Sequence, residues 1–443
     1  MPKETRESLE YCWKEGVVAQ VMISIIDYYL IPYGLFIGAS VQQIGLLIAI
    51  PSFLSSISQF LAVKAVQLAG DRRRLLIYGI GIQASLLIPL TFLPLVISSI
   101  NAKIVILIFL ISLFKFIGSI IGPAWGSLVS DYLPEGQRGQ YLGWRSRVVG
   151  IAGIIGIAFW GSLLFFIKKI NPTLGFILLF AGATIFRFAS LYYMTKMNDV
   201  HFDCSPENNF NFWMFIRRFK ESNFVKFTFY VSGITFATQL AAPYFSVYML
   251  QNLHFNYLTY TAILLSSTII GLVTFPIWGR NIDSIGSVKI VKSTSLLIPV
   301  VPLLWIISKN PIYLFLIELF SGTVWSGFNL SASNFIYDAV SAPKRVRCLG
   351  YFNLINGIAI FLGATLGGFL VKYLPPLFGY PLLTLFLISA IFRFFAHQLL
   401  SKYFKEVRTS IQDVSSTQLF FSVVGIRPII GRNTEWGVYP PIK

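Results

Sequence analysis

Charged residues are scarce in this sequence. Asp, Glu, Lys and Arg together make up 12% of its 443 residues, whereas 55% of the residues are hydrophobic. A water-soluble domain carries about 25% charged residues, so this chain has too little polar surface to cover a globule. The surplus apolar side chains must face lipid, and the mean hydropathy of +0.71 agrees with this.

Motifs for metal binding, disulfide formation and nucleotide hydrolysis are missing. The cysteines Cys12, Cys204 and Cys348 form no CxxC pair and no cluster with the three isolated histidines. This spacing argues against a zinc site, so we expect no metal and no cofactor. There is no GxxxxGK[ST] loop, which argues against direct ATP-driven transport. No nucleophile, base or metal set converges in the sequence, so we expect no enzyme.

Long apolar stretches, each able to cross a bilayer, are present throughout. Backbone groups in lipid must bond internally, and these runs lack the alternation of β-barrel strands. The sequence therefore predicts an all-α membrane protein with twelve transmembrane helices. The predicted spans are 16–37, 42–68, 75–98, 103–130, 140–166, 173–195, 224–250, 258–279, 289–307, 311–337, 347–371 and 380–403.

The net charge of +17 is distributed unevenly between the connections. Connections on one side carry Arg72–Arg74, Arg138, Lys196, Arg217, Arg218, Lys220, Arg280, Lys344, Arg345 and Arg347. The opposite connections carry only Lys103, Lys168, Lys169, Lys309 and Lys372. Basic loops stay in the cytoplasm, so we expect both termini to be cytoplasmic in a multi-pass protein of the cell (inner or plasma) membrane. This pattern accounts for the positive charge without a nucleic-acid partner.

An internal repeat divides the chain into two halves. Asp131, Arg138, Gly143 and Gly150 recur at identical spacing as Asp338, Arg345, Gly350 and Gly357. The sequence IFRF occurs at 185–188 and again at 391–394, and we expect its arginines to be structural anchors. The predicted organisation is a six-helix half at 1–195, a cytoplasmic linker at 196–223, a second six-helix half at 224–404, and a cytoplasmic tail at 405–443. Two parallel six-helix repeats are a known transporter design.

The connection between the eighth and ninth spans contains a spaced motif. Gly279, Asp283, Gly286 and Lys289 have the order Gly, three residues, Asp, two residues, Gly, two residues, basic residue. In this the chain resembles the major facilitator superfamily. At the first-half counterpart Gly70 and the following arginines fit, but Gln67 occupies the Asp position. The resemblance implies a cytoplasmic gate that includes these four residues and, on the repeated connections, Asp131, Arg138, Asp338 and Arg345. It also implies that the protein works as a monomer.

Three charged residues lie inside predicted spans: Asp27, Lys115 and Glu318. Each costs about 2.5–3.5 kcal/mol on insertion scales, so each needs a reason. The resemblance implies that spans one, four, seven and ten line a central cavity. We expect Asp27 or Glu318 to exchange protons and Lys115 to contact substrate. A static ion pair between Asp27 and Lys115 is the alternative.

Further residues are candidates for the cavity wall. Glu318 is followed at helical spacing by Gly322, Trp325 and Asn329, which places them on one helix face. The alternative for this face is a tight helix contact at Gly322. The other candidates are Thr238 and Gln239 in the seventh span and Asn353 and Asn356 in the eleventh. Amides also join neighbouring helices.

Two functions remain open from the sequence. The first is a secondary active transporter that moves a small solute by alternating access, coupled to protons as a symporter or antiporter. Its partners would be a small-molecule substrate, protons and the lipid bilayer. The second is a non-transporting membrane sensor or assembly protein on a transporter fold.

Overall fold

The computed structural model describes residues 3–133, 138–199, 212–217, 219, 221–340 and 342–407. Helices dominate these ranges, where the only strand-like feature is an isolated bridge between Leu377 and Tyr380. The first group of helices is α1 (Lys3–Phe36), α2 (Val41–Ser58), α3 (Ala62–Ala69), α4 (Arg72–Val96), α5 (Ile100–Asp131), α6 (Arg138–Lys168) and α7 (Pro172–Thr195). A short helix, α8 (Phe212–Arg217), follows.

The second group contains eight helices. They are α9 (Asn223–Gln239), α10 (Ala242–Val247), α11 (Tyr257–Ile285), α12 (Ser287–Leu297), α13 (Val300–Ile307), α14 (Pro311–Ala339), α15 (Ala342–Leu370) and α16 (Pro381–Leu400). The predicted linker, 196–223, contains α8, and its residues 200–211, 218 and 220 lie outside the described ranges. All of the predicted tail beyond residue 407 also lies outside them.

Polar side chains and prolines determine where many of these helices begin. Ser40 and Gln43 form a reciprocal capping box at the start of α2, which satisfies two backbone donors that the helix leaves free. Asp71 accepts from the Arg74 N–H and so caps α4. Asn310 caps α14 just before Pro311, where proline needs no backbone donor.

The membrane-spanning character of the chain is confirmed, with one correction to the predicted set. Among the described residues, eleven helices are long and apolar enough to cross a bilayer. The seventh predicted span, 224–250, is instead divided into α9, α10 and a π-helical turn at Tyr248–Asn252. Pro243 has no N–H to donate to the Gln239 carbonyl, so the helical hydrogen-bond ladder is interrupted there. The first helix also begins at Lys3, well before the predicted residue 16.

The helices pack mainly within their own group. In the first group α1 contacts α6 and α7, and α4 contacts α5 and α7. In the second group α11 contacts α14, and α9 contacts α15 and α16. The main contacts between the groups are α2 against α15 and α6 against α11, with α10 also touching α1 and α2.

The buried apolar residues show where the two groups are joined. One large cluster combines both groups and includes Tyr33 of α1 and Tyr244 of α10. Three smaller clusters belong to one group each. The largest of them in each group include Leu9 in the first and Phe404 in the second. The groups therefore share a core where α1 ends. They have separate cores where α1 begins and α16 ends, which we call the terminal end.

Candidate functional site

The predicted acid in α1 and the predicted lysine in α5 lie together. Lys115 Nζ is 3.5 Å from Asp27 Oδ1, and the side chains are 35% and 50% exposed respectively. Both line a cavity of about 450 Å³ inside the first group of helices. This pair is therefore open to the cavity and accessible to a solute or to water.

The cavity is formed by α1, α2, α4, α5, α6 and α7. Much of its wall is apolar, with Ile23, Ile26, Ile80 and Phe114 among the lining residues. On the neighbouring surfaces of α5 and α6, added Cβ atoms at Gly122, Gly126 and Gly143 would meet no atom within 4 Å. Of these three, Gly122 lines the cavity, so the cavity has open space against α5 at this position.

A second group of charged residues in this cavity was not predicted. Glu15 Oε2 lies 3.6 Å from Arg145 Nη2, and the Arg145 guanidinium lies 4.4 Å from the centre of the Trp125 ring. The Ser190 hydroxyl donates to Glu15 Oε1 at 2.8 Å. The sequence signal was the two arginines of the fifth and sixth spans, Arg145 and Arg187, which need a carboxylate nearby. Glu15 was overlooked because it precedes the predicted first span.

Arg187 extends this network into the helix bundle. Its Nη1 donates to the Ser190 hydroxyl at 3.2 Å, and its Nη2 donates to the side-chain oxygen of Gln83. Gln83 in turn donates to the Phe114 carbonyl at 2.7 Å, next to Lys115 in the chain. Polar contacts therefore connect the wall near Lys115 with Glu15 and Arg145.

The other predicted proton-exchanging acid, Glu318, does not line this cavity. It lies in α14 and accepts a hydrogen bond of 3.3 Å from Trp305 Nε1. Further along the same face, Gly322 fits so closely against α11 that a Cβ there would overlap the Ser267 carbonyl. This is the tight helix contact that we considered as the alternative. Trp325 packs against Phe328 with ring centroids 5.5 Å apart, and Asn329 is exposed.

The candidate polar residues of the seventh and eleventh spans are separate from the cavity. Asn356 accepts from Ser232 at 3.2 Å and from Thr235 at 3.1 Å, so it joins α15 to α9. Asn353 donates to Gln59 at 2.8 Å and thereby connects the two helix groups.

Thr238 and Gln239 lie at the end of α9. The hydroxyl of Thr238 is buried with no hydrogen-bond partner among the described residues. Gln239 packs its Cβ against the backbone at Gly363. Both residues therefore lie beside the break between α9 and α10, and α15 covers Gln239.

The predicted gate contains an ion pair in the first group of helices. Arg72 Nη1 lies 2.6 Å from Asp131 Oδ2, and its Nη2 lies 3.4 Å from Asp199 Oδ1. Gly70, two residues before this arginine, has a φ of +86°. Residues with a Cβ rarely adopt this backbone conformation. The motif thus turns the chain between α3 and α4 and places Arg72 against the end of α5.

The equivalent motif of the second group makes the same turn. Gly286 has a φ of +90° and separates α11 from α12. Gly279 and Asp283 lie in the last part of α11, and Lys289 lies in the first turn of α12. Asp338 lies near the end of α14. Arg138 begins α6 and Arg345 lies in the first turn of α15, but the side chains of these two arginines are outside the described part of the chain.

Comparison with known families agrees with this architecture. The profile described as Major Facilitator Superfamily matches residues 16–209 and 227–436. The chain belongs to this family, as the motif resemblance indicated. No protein of curated function matches the sequence.

Solved structures of transporters have the same fold. The nucleoside transporter NupG superposes with a TM-score of 0.66 at 14% identity, covering 91% of this chain and all of its own. A D-xylose-proton symporter gives 0.66 at 13% identity, with 92% and 98% covered. A bacterial homologue of the iron transporter ferroportin, in an inward-facing state, gives 0.67 at 12% identity, with 89% and 98% covered. At these identities the similarity concerns the fold alone.

Proposed function

We propose that this protein is a secondary active transporter that carries a small solute by alternating access and couples its movement to protons. The halves that move are residues 1–195 and 224–404. The observation that supports the proposal best is the cavity with the accessible Asp27–Lys115 pair, since charges in a membrane segment are retained mainly for function. The protein is a multi-pass membrane protein, and we place it in the plasma membrane as a monomer.

The state described here is open towards the terminal end. The helix groups share one apolar core at the opposite end and have separate cores at the terminal end. With both termini in the cytoplasm, as the distribution of basic residues predicts, this state faces the cytoplasm. Alternation would close the terminal end and open the shared core on the other side.

Proton coupling would act through Asp27, with Glu318 as the second candidate. Asp27 pairs with Lys115 when it is ionised. Protonation removes its negative charge and releases the lysine to contact solute, so proton binding and solute binding are linked. Moving one charge through a potential of 100 mV supplies about 2.3 kcal/mol, which suffices for concentrative transport.

The gate would close the terminal end in the alternate state. Arg72, Asp131 and the motif from Gly279 to Lys289 lie on connections at this end, and Arg138, Asp338 and Arg345 belong to the repeated connections. In the state described, Arg72 holds α4 against α5 and the Asp199 carboxylate. This keeps the ends of the first-group helices together as one rigid unit during the movement.

The test is to measure distances at both ends of the molecule. Pairs of spin labels are introduced at exposed positions, Leu68 with Lys402 at the terminal end and Ile170 with Tyr373 at the opposite end, after replacement of the native cysteines. In liposomes we expect a change of pH to shift the two distance distributions in opposite directions. A single unchanging distance at both ends under all conditions would reject transport and favour the sensor or assembly role.

A further inference from the structure

The cavity of the first helix group has an excess of positive charge. Within the described ranges, its charged lining residues are two carboxylates, Glu15 and Asp27, and three cations, Lys115, Arg145 and Arg187. Asp27 pairs with Lys115, and Glu15 lies within 3.6 Å of Arg145. Arg187 reaches Glu15 only through the Ser190 hydroxyl. One positive charge is therefore left without a carboxylate in contact.

Of the three cations in the cavity wall, Arg187 is the one whose positive charge is least balanced by a nearby carboxylate. Its side chain is 7% exposed, and the Nε donor has no hydrogen-bond partner among the described residues. Its two hydrogen-bond partners among the described residues, Ser190 and Gln83, are neutral. A buried charge without a counter-ion is strongly destabilising, and a ligand that brings a negative charge into the cavity would compensate it.

The repeat-related arginine of the second half has a different environment. Arg393 donates to the Ser389 hydroxyl at 3.1 Å and to the carbonyls of Ile298 and Thr238 at 3.3 and 3.4 Å. All three of its nitrogens thus have protein acceptors, and it does not line the cavity. Of the two repeat-related arginines, Arg393 therefore donates from every nitrogen to protein acceptors, whereas Arg187 has a donor left for a ligand.

The rest of the cavity wall indicates what kind of ligand would place an anionic group beside these cations. Met22, Ile23, Ile26, Ile80 and Phe114 provide apolar surface close to the cations. A volume of about 450 Å³ is within the range of about 300–1,000 Å³ typical of small-molecule sites. The cavity therefore fits a compact solute with an apolar body and one anionic group.

We propose that this cavity binds a small amphipathic anion, with a carboxylate or phosphate that contacts Arg187 and Lys115 and an apolar body that packs on α1 and α5. Arginine presents paired donors that match both kinds of oxyanion. This inference rests on the proposed transport function, because it names the class of solute that the carrier moves.

The test uses purified full-length protein in a neutral detergent, so that no anionic headgroup competes. Thermal unfolding is followed with benzoate, phenyl phosphate, the neutral benzamide and the cationic benzylamine. A ligand that binds the folded state raises the unfolding temperature with its concentration. We expect benzoate or phenyl phosphate to do so and benzamide and benzylamine to have no effect at equal concentration. The stronger of the two anions identifies the carboxylate or the phosphate as the preferred group.

Two variants separate binding from folding. Arg187→Gln is expected to weaken the anion affinity by roughly tenfold or more, the effect of a lost charge-assisted hydrogen bond, while the ligand-free unfolding temperature stays close to wild type. Lys196→Gln removes the same charge at the exposed end of the same helix and should leave the affinity unchanged.

Two outcomes overturn the inference: no stabilisation by either anion, or equal stabilisation of wild type and Arg187→Gln. The distance measurements at Leu68–Lys402 and Ile170–Tyr373 need no ligand, so they report on alternating access independently. Opposite distance changes without anion binding would support the transport function and contradict the proposal that the solute is an anion.

Discussion

The guanidinium of Arg393 donates a hydrogen bond of 3.3 Å to the backbone carbonyl of Ile298. In a continuous helix this carbonyl would accept from the residue four positions later, which here is Pro302 and has no N–H. Arg393 also reaches the Thr238 carbonyl, at the break between α9 and α10. One side chain in α16 thus satisfies carbonyl groups at two interruptions of neighbouring helices.

Replacing Arg393 should destabilise the protein because the Ile298 carbonyl would lose its donor. We expect Arg393→Gln to lower the free energy of unfolding by about 1.5–3 kcal/mol, the range for a hydrogen bond to a charged group. The measurement is reversible unfolding in detergent. The control introduces Arg393→Gln into the Pro302→Ala variant, in which residue 302 again has an N–H that can donate to the Ile298 carbonyl. An equal cost in both backgrounds would show that the Ile298 carbonyl contributes nothing to the effect.

The proton-coupling proposal distinguishes between the two acids. Asp27→Asn should abolish the pH dependence of the spin-label distances, since the side chain then stays neutral at every pH. Glu318→Gln should preserve it, because Glu318 is held by Trp305 outside the cavity. The measurement is the Leu68–Lys402 distance distribution across a pH series. Retention of the pH response in Asp27→Asn together with its loss in Glu318→Gln would transfer the coupling role to Glu318.

Close packing of α11 and α14 depends on the absence of a side chain at position 322. A Cβ at Gly322 would overlap the Ser267 carbonyl oxygen, so Gly322→Ala should force the helices apart and cost about 1–3 kcal/mol of stability. The matched control is Gly81→Ala in α4, where the nearest atom is the Leu191 Cδ2 at 3.8 Å. Thermal unfolding of both variants tests this. Equal stability of the two would contradict the tight contact.

The hydrogen bond between Asn353 and Gln59 links the two helix groups near the terminal end. If it stabilises the state described here, Asn353→Ala should remove about 1 kcal/mol from that state and increase the population of the alternate one. The spin-label distances would report this shift. Adding Gln59→Ala should produce little further change, because the two residues act as a pair. Additive effects of the two substitutions would show that they act independently.

Much of the fold followed from the sequence because its causes are local. Hydropathy over about 20 residues determines whether a segment can cross a bilayer, and eleven of the twelve predicted spans correspond to suitable helices. The glycine of the gate motif was recognisable because a turn with positive φ requires it, as Gly286 shows. Asp27 and Lys115 stood out because charges within apolar spans are costly.

Only the tertiary structure decided how distant residues combine. Glu15, Arg145 and Arg187 are far apart in the sequence, and no local pattern shows that a serine connects two of them. Pro243 alone does not account for the division of the seventh span, because Pro32, Pro51 and Pro276 lie inside helices that are not divided. The sequence alone determined which segments enter the membrane, since insertion depends on each segment separately. The composition of the cavity was decided by helix packing, which brings side chains from six helices around one space.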